Sequence, residues 1–288
     1  MVAVLLLTPL LILWQAYPSL SETAWFSELQ ETLSGEVDEV DPEEESAPEI
    51  PPGYVKVAAG MQLVGSPAVE EGHIDNERLR QVTISRAFLL SRTPVTQRDW
   101  MDVMDENPSN FSSCGFNCPV EQVSWYDAVD YLNELSEREE LEPCYEESGE
   151  SIRFMGLDCE GYRLPTETEW EYALRAGSIE PRYGELDEIA WYRGNAEGQT
   201  QPVWQKESNR LGIFDMIGNV SEWTNDWYGT IPAGSATDPE GPEEGSQRVI
   251  RGCSWSDAAD LCRAAYRHRG APDTRDSSVG FRVARTIP

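Results

Sequence analysis

GYRLPTETEWEYALRAG, residues 161–177, is the stretch on which the reading of this chain turns. Thr166 and Glu169 stand in the spacing of a capping box, in which each side chain bonds the other residue's backbone N–H and starts a helix. Trp170, Ala173 and Leu174 then recur at three and four residues and form one apolar stripe. Gly177 supplies the left-handed residue on which helices commonly end. Arg163, with Glu167, Glu169 and Glu171, is expected to form buried ion pairs that hold loops around this helix. Upstream, Ser124 and Asp127 repeat the box ahead of Trp125, Ala128, Val129, Leu132 and Leu135. Thr96 is the expected cap of an earlier helix, with Trp100, Val103 and Met104 on one face. Still further upstream, Val55 and Val57, Met61 and Leu63 between Gly60 and Gly65, and Val82 and Ile84 leading to Phe88 are strand and turn signals. Beyond Gly177, Gly, Pro, Asn and Asp recur every few residues. Long irregular stretches in a compact domain serve a site or need internal staples. With no internal repeat and no second linker, one loop-rich α+β domain over residues 53–288 is expected.

The net charge of -30 is unevenly spread. Residues 1–52 hold 11 of the 52 acids and no Lys or Arg, which leaves 41 acids against 22 bases in the rest. Nucleic-acid binding depends on Lys and Arg neutralising phosphates, so that class of partner is excluded. The same repulsion argues against docking on anionic lipid. Any membrane contact is expected only through the N-terminal segment. There, residues 1–20 open with an apolar run from Val2 to Trp14. It is shorter than the roughly 20 residues of a spanning helix and suits the core of a secretory signal peptide or a short anchor. Residues 21–52, acidic and Pro-rich, read as a disordered linker that cannot bury enough surface to offset ordering. Six cysteines fall into three local couples, Cys114 with Cys118, Cys144 with Cys159, and Cys253 with Cys262, the pairing expected of disulfides in an oxidising compartment. Zinc at Cys114 and Cys118 would need further ligands, and only His73 and His268 exist. A secreted, periplasmic or tethered location outside the cytoplasm follows.

Seven motifs, in order, carry a resemblance: Gly60–Ser66, Pro94-Val95-Thr96, CPVEQVSW at 118–125, RLPTETEWEY at 163–172, GNVSEW at 218–223, RGCSW at 251–255, and Gly280-Phe281-Arg282. Together they make the chain resemble the formylglycine-generating enzyme (sulfatase-modifying factor) family. The resemblance covers most of residues 53–288 and implies a variant C-type-lectin-like fold, low in regular secondary structure. RLPTETEWEY reads chiefly as architecture, and Trp170, Trp223 and Trp255 as core rings whose N–H groups bond loop backbone.

The resemblance also implies sites. One family calcium site maps onto Asp215, Gly218, Val220 and Glu222, where a tight turn offers carbonyls together with acids to a hard cation. A second, near residues 190–203, is not carried over because Trp191 stands where an amide ligand is expected. The family's oxidase uses two cysteines, four residues apart, after its R-G-G-S-[WY] motif; they bind copper and convert a sulfatase cysteine to formylglycine. Here SDAADLCRAAYR, residues 256–267, contains only Cys262, Cys253 replaces a glycine, and Ser221 replaces the groove tryptophan. Calcium is therefore the expected cofactor and copper is not; Ser254, Cys253, Cys262 and Arg263 remain as groove candidates without an assigned catalytic role. The fold's iron-binding sulfoxide synthase branch needs a histidine set that this chain lacks, and no GxSxG, Walker loop or HExxH occurs. The arginines of residues 248–285 are expected to pair with Asp257, Asp260, Asp273 and Asp276, or else to form a groove for the carboxylate or backbone of a bound peptide. Two readings follow: a non-catalytic module binding a peptide, protein or glycan, or an active formylglycine-generating or related oxidase.

Overall fold

The computed structural model describes residues 50–148 and 151–287. The expected signal or anchor and all of the acidic linker before Ile50 lie outside the described residues. In chain order come β1 (Tyr54–Val57), β2 (Gly60–Val64), β3 (Arg80–Ile84) and β4 (Phe88–Ser91), then helices α1 (Gln97–Met104) and α2 (Trp125–Arg138). A hairpin of β5 (Tyr145–Ser148) and β6 (Ser151–Phe154) leads to β7 (Tyr162–Arg163), α3 (Glu167–Arg175) and a one-turn helix, α4 (Leu186–Ile189). The last third holds β8 (Ser221–Trp227), β9 (Ala236–Thr237), β10 (Arg248–Arg251), β11 (Arg267–Gly270), β12 (Val279–Phe281) and β13 (Ala284–Thr286). The expected mixed, loop-rich fold is the one observed.

All three main helices start as their sequences dictate. Thr96, Ser124 and Thr166 each complete a capping box, with Asp99, Asp127 and Glu169. The end of α3 differs from expectation by one residue: Ala176 takes the left-handed turn (φ 46°) and Gly177 follows it at φ 85°. The stripe residues Trp170, Ala173 and Leu174 pack with Val57, Phe88, Leu90, Ile217 and the Cys253–Cys262 bridge in one core. Helices α1 and α2 bury Trp100, Trp125, Val129 and Leu132 in a second core with Trp223 and Phe281.

Sheet pairing joins distant parts of the chain. One sheet has the order β1-β4-β13-β7, so the last strand lies between two early ones. A second, β11-β10-β8-β12, is antiparallel except for β12, which runs parallel to β8. The third is β2-β3-β9, with β9 parallel to β3. Cys114–Cys118, Cys144–Cys159 and Cys253–Cys262 are all bridged, which accounts for every cysteine in the chain. Among the described residues no helix is long and apolar enough to cross a membrane.

Ion pairs join these sheets, and their partners match the expected ones only in part. Of the three expected acids Arg163 pairs only with Glu169, through both terminal nitrogens at 2.7 Å, and it also donates to the Leu164 carbonyl and the Thr286 hydroxyl. Glu171 instead takes Arg175 and Arg251, and Glu167 takes Arg267. Arg263 reaches Glu70 and Glu77, Arg282 reaches Glu222, and Arg275 reaches Asp127. Arg248 lies over the rings of Trp125 and Trp227, 3.7 and 3.5 Å from their centres. The C-terminal arginines therefore pair with acids far away in sequence, not with neighbouring aspartates. Chain neighbours at a turn rarely face each other, whereas packed sheets bring distant side chains face to face.

Candidate functional site

The segment after β10 is where the family's reacting thiols are expected. Cys253 and Cys262 are both fully buried and bridged to each other. Ser254 is equally buried, and its hydroxyl donates to Asp257 at 2.7 Å while its N–H does so at 2.9 Å. Arg263 is 2% exposed and is clamped by Glu70, Glu77 and the Gly72 carbonyl. Cys253, Cys262 and Ser254 are thus framework, because a buried, satisfied polar group has nothing left to offer a ligand, whereas Arg263, though clamped, borders a cavity of about 390 Å³ with Glu71, Arg182 and Asp260. Trp255 carries the surface here: its ring meets Phe111 edge-on, and its indole N–H donates to the Ser277 carbonyl at 3.0 Å. Trp223 likewise bonds backbone, at Val123. Trp170 does not, since its N–H donates to the Glu222 carboxylate at 2.6 Å.

The expected calcium turn folds tightly. Asp215 (φ 53°) and Asn219 (φ 64°) both adopt the left-handed conformation. Gly218 has no alternative, since a Cβ there would lie 2.5 Å from the Trp191 carbonyl oxygen. Asn219 exchanges two hydrogen bonds with Gln201 (3.0 and 2.9 Å) and fixes residues 191–204 against the turn. Glu222, however, gives both carboxylate oxygens to Arg282, at 2.6 and 2.7 Å, with Trp170 sharing one of them. A carboxylate engaged in this way does not fit as a direct calcium ligand, and among the described residues no three His, Cys, Asp or Glu side chains converge as a metal site. Asp215 accepts the Trp204 N–H at 3.1 Å, and burial pushes its carboxyl up to about 6. Only Asp215 and the loop carbonyls of Gly218 and Val220 remain from the expected set.

Two surface features lie outside those motifs. Trp204 is 57% exposed and held at φ 67°, a conformation rare for a bulky side chain and usually kept where surrounding structure imposes it. Its own N–H bond to Asp215 and the bond from Val203 N–H to the Asn117 carbonyl impose it here. A cleft of about 490 Å³ runs beside it past Tyr54, Pro94, Arg98 and Asn117. Arg98 covers the ring of Phe116, which is itself 53% exposed. A second cavity, also about 490 Å³, opens under the 229–242 loop near Arg80, Asp226 and Arg267. Nothing in the motif pattern pointed to Trp204 or Arg80. The only available signal for Trp204 was a tryptophan in a polar, Gly-poor loop.

Comparison with known proteins places these features in context. The model of the sulfatase-modifying factor enzyme 1-like domain matches residues 40–287. The chaperone protein LppX of Paenibacillus barcinonensis is 33% identical over 243 residues, 72% of this chain and 82% of that protein. The formylglycine-generating enzyme of Streptomyces coelicolor is 34% identical over 190 residues, 58% of this chain and 52% of the enzyme. Against several other curated relatives the chain spans only 21% to 36% of their length. Among solved structures, Treponema denticola variable protein 1 superposes with a TM-score of 0.75 at 32% identity, covering 81% of this chain and 95% of that one.

Proposed function

The chain belongs to the sulfatase-modifying factor enzyme 1-like domain family, and on that premise we propose that it is a non-catalytic binding module, working outside the cytoplasm on a peptide or protein. The observation that carries this reading is the Cys253–Cys262 bridge. The family's oxidase chemistry needs thiolates, which are soft copper ligands and nucleophiles, and a disulfide is neither. With every cysteine bridged and Ser254 buried against Asp257, the segment offers no nucleophile to a substrate. Three disulfides fit an extracytoplasmic setting. The name of the LppX relative, a chaperone, supports a protein ligand over a small metabolite. Exposed Trp204 beside its cleft supplies the kind of rigid aromatic anchor on which binding energy concentrates.

The test combines thiol titration of the native and unfolded protein, Cu(I) binding, and oxygen uptake with a cysteine-containing peptide. The expected result is no reactive thiol, no stoichiometric Cu(I) and no peptide oxidation. Two titratable thiols that bind Cu(I) and support turnover would sink the proposal and restore the oxidase.

A further inference from the structure

The cavity under the 229–242 loop has a charge arrangement that the fold does not explain. Arg80, at the start of β3, lines it, yet its Nε is buried with no hydrogen-bond partner, and no ion pair closes on its guanidinium among the described residues. The neighbouring Arg267 is fully used: Glu167 grips it at 2.5 and 2.8 Å, and it also donates to the carbonyls of Asn76 and Gly229. Two other carboxyls line the cavity, Asp226 and Glu240. Burial, then the Glu167 charge, pushes Asp226 well above its ordinary range, and burial also raises Glu240. Neither is a committed counter-charge for Arg80, and Glu167, the acid of the same lining that acts on it most, is already held by Arg267. Asp226 moreover already accepts the Glu167 N–H at the start of α3, at 2.7 Å. Leaving a half-buried guanidinium without a hydrogen-bond partner is costly, and such groups are normally satisfied. Apolar Ile231, Pro232, Ala233, Pro239 and Pro242 share the rest of the wall with the hydroxyl residues Thr168, Thr230, Ser235 and Thr237.

We infer that this cavity captures a carboxylate carried on an apolar body, as found at the C-terminal residue of a peptide. Arg80 supplies the fork that matches two carboxylate oxygens, and the proline-rich wall takes the side chain. A volume of about 490 Å³ lies within the range of roughly 300–1,000 Å³ typical of small-ligand pockets and holds one or two residues. The site is separate from the Cys253–Trp255 segment, and it deepens the reading of the chain as a binding module for peptides, on which it rests. A sugar acid would bring the same carboxylate but no apolar body, so it serves as a comparison ligand.

The experiment measures binding of N-acetyl-Ala-Leu to the full chain by titration calorimetry or ligand-observed NMR, against its C-terminal amide and against glucuronate. The free acid is expected to bind, with amidation weakening it at least tenfold and glucuronate binding as poorly as the amide. Arg80→Gln should weaken the free acid tenfold or more while leaving the melting temperature within a degree or two. Ala233→Phe, which adds a ring to the cavity wall without changing its charge, should do the same and covers the case in which Arg80→Gln fails to fold. No binding of the free acid by the parent protein, equal binding of acid and amide, equal binding of glucuronate, or binding indifferent to both substitutions would overturn the inference. Those failures leave the thiol and copper results standing, so loss of this site and loss of the non-catalytic reading are separable.

Discussion

Glu222 decides how the resemblance to a calcium site should be interpreted. It is 1% exposed, and its bidentate partner Arg282 is fully buried. Removing one partner of such a pair leaves an uncompensated buried charge, at a cost of about 3–5 kcal/mol. Glu222→Gln should therefore lower unfolding free energy by that amount in urea titrations, equally with calcium and with chelator present. A calcium-dependent stabilisation of the parent that vanishes in the variant would instead make Glu222 a ligand. Asp226 gives the opposite sign. Because burial raises its pKa, the folded protein keeps the proton at pH values where the unfolded chain has lost it. Stability from this group therefore falls as pH rises from the ordinary carboxylate range through the folded pKa. Asp226→Asn keeps an acceptor for the Glu167 N–H and removes the titration. In thermal melts from about pH 4 to about pH 8, the variant should gain on the parent steadily with pH. Parallel curves would show that the carboxyl ionises alike in both states.

At the scale of elements, α2 shows what can be known from local sequence. Its 14 residues begin at a box in which the Ser124 hydroxyl accepts the Asp127 N–H at 3.1 Å and Asp127 returns a bond to the Ser124 N–H at 2.7 Å. Ser124→Ala should cost about 1 kcal/mol, or roughly 2–4 °C in melting temperature, with the far-ultraviolet dichroism unchanged below the transition. A change within error would mean that tertiary contacts alone set this helix start. The three helices were legible because cap, stripe and stop all act within four residues. The disulfides were legible because the partners lie only 4, 15 and 9 residues apart. Strand partners were not: β13 lies between β4 and β7, and β9 is two residues long. Nor were the arginine partners, since Arg263 and Glu77 are 186 residues apart and only the packed fold brings them together. The burial of Ser254 was not legible, because a motif gives residue identity but not accessibility. Arg80 was missed because what distinguishes it, the lack of a partner, does not exist until the other arginines have found theirs.

For the molecule as a whole, buried arginines and buried acids are matched in number. Seven arginines and seven acids are buried among the described residues, so the acidic excess of the domain rests on its surface. That excess favours solubility and repels polyanions, which agrees with a module that works among proteins. The interior is correspondingly rich in ion pairs, which are weak evidence for stability because desolvation offsets their attraction. Fold and family were therefore evident from a few motifs, while the functional surface depends on loops that those motifs do not describe.

The three bridges close over 4, 15 and 9 residues, and this bears on how the protein is made. The entropy of closing a loop grows with its length, so short closures are favoured over the other connectivities open to six cysteines. At synthesis rates of roughly 5–20 residues per second, both halves of each bridge emerge within a few seconds of each other. Oxidation can thus proceed piece by piece behind the growing chain, before the long-range ion pairs exist, and the protein asks little of a host's disulfide-shuffling machinery.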